Sequence, residues 1–370
     1  METLNTFRDV LRNPQEIAAD WKAQGKKVVG YRCINVPEEI IYAAGMMPYP
    51  LFGTPKAVSL ADSYFQPCVC EFIRNVFDLG LEGKLKFLDG LALCNTCDAV
   101  RKLYDIWNLY IKSSSCYIIN NPQKFLYEAN YTFYRKELEK FKQTMESLSG
   151  NYISDESLNN AIDLYNENRA LLKELYLLRK DENPPFSGEE ALDIVMASML
   201  IPKESCNQLL KKLLKEVKGR KAYNDSGPRV LITGSIIDDP TLIRMVEEVG
   251  GLVVADDLCT TTKYFWHEMN KEKDPLDAIY THNNERCLCA CMHPQEARFD
   301  YIMELIREFS VDGVIYFNIK YCHPFLYEAP LFQEKLEAKD IPTIFLETGH
   351  DLSGIGQLKT RVQAFIEMLG

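Results

Sequence analysis

The sequence predicts an α/β protein of two doubly wound parallel-sheet domains joined by a helical segment. Three observations predict it. Short apolar segments alternate with amphipathic helical segments in two separate stretches, the pattern of strand–helix–strand units whose strands pair in parallel. The stretch between them is helical in periodicity, with Leu158, Ile162, Tyr165, Leu172 and Tyr176 at helical spacing. The two α/β stretches also share a segment: Leu88-Asp89-Gly90, apolar residues and Cys97 in the first, Val311-Asp312-Gly313, apolar residues and Cys322 in the second.

Taken in order, residues 1–24 read as one helix carrying Leu4, Phe7, Val10, Leu11 and Ile17. The first α/β domain spans 25–121. Lys27–Tyr31 is a strand ending at Arg32-Cys33, and Pro37 opens a helix through Ile40, Ile41 and Ala44 to Gly45. Glu38 and Glu39 suit that helix's positive end. Pro48–Phe52 is a second strand, and a helix from about Cys68 carries Phe72, Ile73, Val76, Phe77 and Leu79. A strand over Phe87–Leu93 ends near Cys94-Asn95-Thr96-Cys97, a helix follows through Val100, Leu103 and Trp107, and Ser115–Ile119 is a further strand. Residues 122–225 form the helical segment, with Ser154 as an N-cap and a break at Pro184-Pro185. The second α/β domain spans 226–370. Its strands are Val230–Thr233, Leu252–Ala255, Val314–Phe317 and Thr343–Leu346. The helices between them contain Leu242–Val249, Phe299–Phe309 and Gln333–Leu336, and the last helix is Leu358–Met368.

Composition narrows the function. A 370-residue chain that is 46% hydrophobic and 11% aromatic buries a substantial core. A net charge of -11 argues against wrapping nucleic acid or resting on an anionic membrane. The first fifteen residues lack a secretory apolar stretch, and no apolar run reaches membrane-spanning length, so a cytoplasmic location is expected. Reducing cytosol disfavours disulfides. The 12 cysteines are then free thiols, a redox pair or metal ligands.

Seven of them have a common logic. Ligands of open α/β sheets bind beyond the carboxyl ends of the strands. Cys33, Cys97, Cys259 and Cys322 each follow a predicted strand, and Cys70 and Cys291 precede or open a helix, where the dipole favours a thiolate. With Cys289 they converge on one cleft if the two domains face each other. Taken singly, each is a small buried hydrophobe. Cys116, inside a strand, and Cys206, inside a helix, fit that plainer description.

Other chemistry is weaker. Cys94-x-x-Cys97 resembles a thioredoxin-like redox pair but follows a later strand than that motif normally does. Zinc favours close CxxC pairs twice over, whereas Cys287, Cys289 and Cys291 alternate and cannot all face one way if extended. There is no phosphate-binding or dinucleotide-binding glycine loop and no nucleophile elbow. His323, directly after Cys322, is either a turn histidine or a proton donor beside a bound group.

Specific segments carry a resemblance. Gly30-Tyr31-Arg32-Cys33, Val36 to Gly45, Cys70 before its helix, Cys97-Asp98, Tyr321-Cys322 and Gly356 to Arg361 resemble the 2-hydroxyacyl-CoA dehydratase and benzoyl-CoA reductase superfamily over nearly the whole chain. The resemblance implies two flavodoxin-like domains and a [4Fe-4S] cluster held by Cys70, Cys97 and Cys322. Asp257-Leu258-Cys259-Thr260, Cys289-Ala290-Cys291 and Cys322-His323 resemble most the double-cubane-cluster branch. There two cubanes share a bridging sulfide as an [8Fe-9S] cluster, one per subunit of a homodimer, and six cysteines are needed. The last three would come from Cys33, Cys259, Cys289 and Cys291. Cys68, Cys94 and Cys287 fall outside the pattern.

The resemblance further implies an oxygen-sensitive iron–sulfur oxidoreductase that reduces small molecules. Its electrons come from a separate ATP-hydrolysing iron–sulfur activator protein. The alternative is the [4Fe-4S] subunit of a 2-hydroxyacyl-CoA dehydratase or benzoyl-CoA reductase, paired with a related second subunit in a heterodimer. A third reading is a non-catalytic cluster or zinc carrier.

Overall fold

The computed structural model describes residues 1–124, 127–220, 223, 226–271, 274–286 and 289–370. The chain opens with two helices, α1 (Glu2–Arg12) and α2 (Pro14–Ala23), rather than the single helix expected. Pro14 is the reason: it has no N–H to continue α1, and it sits at the first position of α2, where none is needed. Then come β1 (Val28–Arg32), α3 (Glu38–Ala43), β2 (Met47–Pro50), α4 (Glu71–Leu81), β3 (Gly90–Cys94), α5 (Asp98–Tyr110) and β4 (Ser115–Ile119). The connecting helices are α6 (Glu128–Ser149), α7 (Asp155–Leu177), α8 (Gly188–Leu200) and α9 (Lys203–Val217). The second alternation runs β5 (Arg229–Gly234), α10 (Thr241–Glu248), β6 (Leu252–Asp257), α11 (Thr262–Phe265), α12 (Pro275–Glu285), α13 (Glu296–Glu308), β7 (Gly313–Ile319), α14 (His323–Glu337), β8 (Thr343–Thr348) and α15 (Ile355–Leu369).

Both sheets are wholly parallel and share one topology, β2-β1-β3-β4 and β6-β5-β7-β8. The strand order reverses between β1 and β3 in one and between β5 and β7 in the other, and such reversals open a crevice at the carboxyl edge. Strands β5, β6 and β7 are buried along almost their whole length, as parallel strands covered on both faces must be. The repeated Asp-Gly segment has a physical basis. The Asp89 carboxylate accepts from Val28 N at 2.8 Å and that of Asp312 from Arg229 N at 2.7 Å. In return the amides of Asp89 and Asp312 donate to the carbonyls of Val28 and Arg229. Each aspartate therefore fixes the register between the first and third strands of its half.

The helical segment ties the sheets together. Helix α8 is buried at every position but Glu189, and from Ala191 on it is apolar except for Asp193 and Ser198, which suits a helix with no solvent face. It packs on α1, β2, α10 and β6, touching both halves. A capping box of Ser187 and Glu190 starts it. Gly188 lets it approach β6, since a Cβ there would lie 2.7 Å from Val253 Cβ. Ser154 caps α7 as expected, accepting from Ser157 N at 3.1 Å. Two clusters of buried apolar side chains each draw on both sheets.

Some expectations shift. Glu38 and Glu39 are not merely dipole partners: both are buried, Glu38 accepting from Tyr31 Oη at 2.8 Å and Glu39 pairing with Arg169. Helix α4 starts at Glu71 rather than near Cys68, β2 lies at Met47–Pro50, and α14 begins at His323, well before Gln333. Helices α11 and α12 stand where no element was expected. Cys287 and the segment boundary at 225 lie outside the described residues. Among the described residues no helix is long and apolar enough to cross a membrane.

Candidate metal centre

The carboxyl edges of the two sheets enclose one cleft of about 390 Å³. All seven singled-out cysteines line it: Cys33, Cys70, Cys97, Cys259, Cys289, Cys291 and Cys322. The others do not. Cys68 is exposed, while Cys94, Cys116 and Cys206 are buried in the packing of β3, β4 and α9. Cys94 at the end of β3 is fully buried and absent from the cleft wall that Cys97 joins.

Local structure explains how the thiols are presented. Cys70, Cys97 and Cys322 are the N-cap residues of α4, α5 and α14. A helix N-terminus carries unsatisfied N–H groups and a partial positive charge, and both stabilise a thiolate. Cys97 and Cys322 occupy the same topological place, after the third strand of each half. Cys33 follows β1 and has a left-handed backbone (φ 96°), as does Tyr321 before Cys322 (φ 66°). That conformation is uncommon for residues with side chains, and here it turns each chain into the cleft. Cys259 lies between β6 and α11. Cys289 and Cys291 sit in a turn closed by Met292 N donating to Cys289 O at 2.9 Å. Cys291 is therefore ahead of α13 rather than at its N-terminus, because that helix starts at Glu296.

The thiols repel one another within two sets that are themselves linked, since Cys97 also senses Cys33 and Cys289, and Cys322 senses Cys289. Cys70, Cys97 and Cys322 each sense the other two, or are sensed by them, as charges. Cys33, Cys259 and Cys289 do likewise. Within the first group a hydrogen bond from Cys322 lowers the Cys70 thiol to about 7, helped by the N–H groups of Ile73 and Phe72, and Cys322 is raised in consequence. Cys291 likewise donates to Cys289, which falls to about 6, while Cys291 is raised. Burial pushes Cys33 up to about 11 and Cys97 to about 12. Among the described residues no three histidine, cysteine or carboxylate side chains are grouped to hold a single metal ion.

The remaining wall is apolar, with Phe72, Ile73, Val100, Ile236, Ile319 and Phe325. His323 lines the cleft from the first position of α14 and is exposed at its mouth, its ring 6.1 Å from that of Tyr327. Sequence reasoning passed over the charges. Arg32 lines the cleft beside Cys33. Beneath Cys259 lies a buried network in which Asp257 meets Lys263 at 3.4 Å and pairs with Arg298, which reaches Glu328 at 2.8 Å. Arg32 stands directly before Cys33 and Asp257 two residues before Cys259, so the available signal was a charged residue close to each of these two cysteines.

Comparison with known proteins places this arrangement. The family described as 2-hydroxyglutaryl-CoA dehydratase, D-component, matches residues 33–369. The (R)-phenyllactyl-CoA dehydratase beta subunit of Clostridium sporogenes is 27% identical over 366 residues, 99% of this chain and 98% of the relative. A benzoyl-CoA reductase subunit of Thauera aromatica is 27% identical over 361 residues, 95% of this chain and 94% of the relative. The (R)-2-hydroxyglutaryl-CoA dehydratase subunit beta of Acidaminococcus fermentans is 25% identical over 373 residues, 99% of this chain and 98% of the relative. With β2 to β8, the helical segment and all seven cleft cysteines inside the matched span, the chain belongs to the 2-hydroxyglutaryl-CoA dehydratase D-component family, a family of enzyme subunits.

Proposed function

We propose that this chain is an iron–sulfur reductase that holds a double-cubane [8Fe-9S] cluster in the cysteine cleft. It takes electrons from a separate ATP-hydrolysing activator and reduces small molecules. One observation carries the reading: seven cysteines from both halves of the chain line a single cleft. A lone buried ion uses at most four such ligands at about 2.3 Å, which requires them to crowd one point. The described side chains are not grouped that way. Cubane ligands bond different irons, so a wider ring of thiols suits a cluster.

The three helix N-cap cysteines, set apart from the other four, suggest the division of labour. Cys70, Cys97 and Cys322 serve one cubane, each thiolate stabilised at a helix N-terminus. Cys33, Cys259 and Cys289 serve the other. In this assignment Cys291 is the seventh, non-ligating cysteine. The bound cluster supplies single electrons at low potential. The chain's apolar wall excludes bulk water, and His323 at the mouth holds a proton for the substrate. The enzyme acts in the cytoplasm as a homodimer, each subunit with its own cleft.

The relatives favour a second reading, since they are named as subunits of acyl-CoA dehydratases and of a reductase. This chain would then hold one [4Fe-4S] cluster on Cys70, Cys97 and Cys322 and pair with a non-identical subunit. Iron per chain after anaerobic purification decides: about eight supports the double cluster and about four the single one. ATP-dependent turnover with an activator protein tests the reductase activity, and its complete absence with iron present would leave a non-catalytic carrier.

A further inference from the structure

The ionic network beneath Cys259 contains two cations, Lys263 and Arg298, and two carboxylates, Asp257 and Glu328, and so is neutral. Arg32 is different. It lines the cleft at the carboxyl end of β1, yet among the described residues its guanidinium has neither an ion pair nor a hydrogen bond, and its Nε is shielded from solvent. Leaving a buried donor unsatisfied is costly, and the cost is larger for a charged group.

The side chain is held rather than loose. Its guanidinium lies over the Phe72 ring, 4.4 Å from the centroid. Phe72 is braced edge-on by His350 at 5.4 Å. Asp238, the carboxylate that senses Arg32, is already occupied: it accepts from Gly53 N at 2.6 Å and binds His350 Nε2 at 2.8 Å. The chain thus fixes one uncompensated cation against the thiols and diverts the carboxylate that would neutralise it.

We propose that Arg32 is the counter-charge and N–H donor for the anionic group bound by the cysteines, a positioning residue that raises the reduction potential of that group. Six thiolates and bridging sulfide give a bound double cluster a net negative charge, and a fixed cation favours the form with one more electron. The planar guanidinium offers several donors to sulfur at once. Hydrogen bonds to sulfur and nearby charge are the established controls of cluster potential. The inference rests on the iron–sulfur reading.

The test uses full-length protein purified without oxygen, with iron measured first. In wild type grown on ¹⁵N-arginine, pulsed electron paramagnetic resonance of the reduced cluster detects a guanidinium nitrogen coupling. Arg32→Gln and Arg32→Lys both lose it. Arg32→Gln needs a lower potential for reduction, at least a tenfold shift in the one-electron equilibrium, about 59 mV. Arg32→Lys retains charge and stays near wild type. A wild type that contains iron but shows no nitrogen coupling overturns the inference, whether or not either variant folds. So does an iron-loaded Arg32→Gln protein with unchanged potential. A wild type that binds no iron overturns the iron–sulfur reading and this inference with it.

Discussion

Cys70 accepts a hydrogen bond from the thiol of Cys322, and the two come from opposite halves of the chain. Each caps a helix, α4 and α14, so two positive helix ends face one shared proton. A folded chain without ligand already keeps one of these sulfurs close to its reactive form. The cleft is thus a junction: what binds Cys70 and Cys97 on one side and Cys322 on the other joins the two sheets.

Loss of a junction ligand should therefore remove the bound group. Cys97→Ser or Cys322→Ser is expected to lower iron content and abolish activity, because a hydroxyl at neutral pH is a poor replacement for thiolate. Cys206→Ser should change little, since Cys206 lies within α9 and its neighbour Asn168 Nδ2, 3.4 Å away, can donate to oxygen as readily as to sulfur. Iron analysis of the three anaerobically purified proteins checks this. Full iron in Cys97→Ser would remove Cys97 from the ligand set.

The second group of thiols gives a sharper contrast. Cys289→Ser should reduce iron from about eight to about four per chain, whereas Cys291→Ser should keep about eight. The difference follows from the proposed ligand set, in which Cys289 bonds iron and Cys291 does not. Equal iron loss in the two variants would show that the turn contributes both sulfurs.

Much of this was legible from the chain, for identifiable reasons. Leu88-Asp89-Gly90 and Val311-Asp312-Gly313 read as equivalent because each aspartate does the same local work, bonding the start of its half's first strand. Once those strands are aligned, Cys97 and Cys322 must occupy matching ends. The break at Pro14 was visible but overridden by apolar spacing that continues across it. Helices α11 and α12 are short or mixed in polarity, and their stability comes from tertiary contacts such as those of α11 with α7 and β6. Which cysteine neighbours which, and the absence of a hydrogen-bond or ion-pair partner for Arg32 among the described residues, depend on the approach of two sheets that lie more than a hundred residues apart in sequence. No spacing rule encodes that.

The cleft wall also depends on a backbone contact that tolerates no side chain. Gly234 ends β5 with φ 125°, and a Cβ there would lie 1.9 Å from Phe317 O on β7. The next residue, Ser235, accepts from Ile319 N at 2.7 Å and carries the chain into the cleft. Gly234→Ala should cost at least about 3 kcal/mol or prevent folding, through combined backbone strain and clash. Gly25→Ala is the control: its φ is also positive, at 74°, but nothing lies within 4 Å of the added carbon. It should cost only about 1 kcal/mol, the conformational part alone. Urea unfolding of both variants separates the two contributions, and equal losses would mean that the β5–β7 contact yields easily.

A pH dependence follows from Glu247 on α10. Its carboxyl accepts from Gly188 N at 2.6 Å and from Glu189 N at 3.4 Å, at the start of α8. Burial outweighs these bonds and pushes the group up from its ordinary 4.5 to about 7. The folded protein therefore holds this proton more tightly than the unfolded chain does, so stability falls with rising pH between those values. The contribution is fully present below about pH 4.5 and lost once the pH has risen through about 7. At roughly 1.4 kcal/mol per pH unit the whole effect is at most about 3.5 kcal/mol. Glu247→Gln keeps an oxygen acceptor for Gly188 N, the shorter of the two bonds, and has no proton to lose. The stability of wild type relative to Glu247→Gln should thus decline by up to about 3 kcal/mol between pH 4.5 and 7.5. Groups that titrate in both proteins cancel in the difference. Urea unfolding across that range measures it, and a flat difference would mean that Glu247 is ionised in the folded protein throughout.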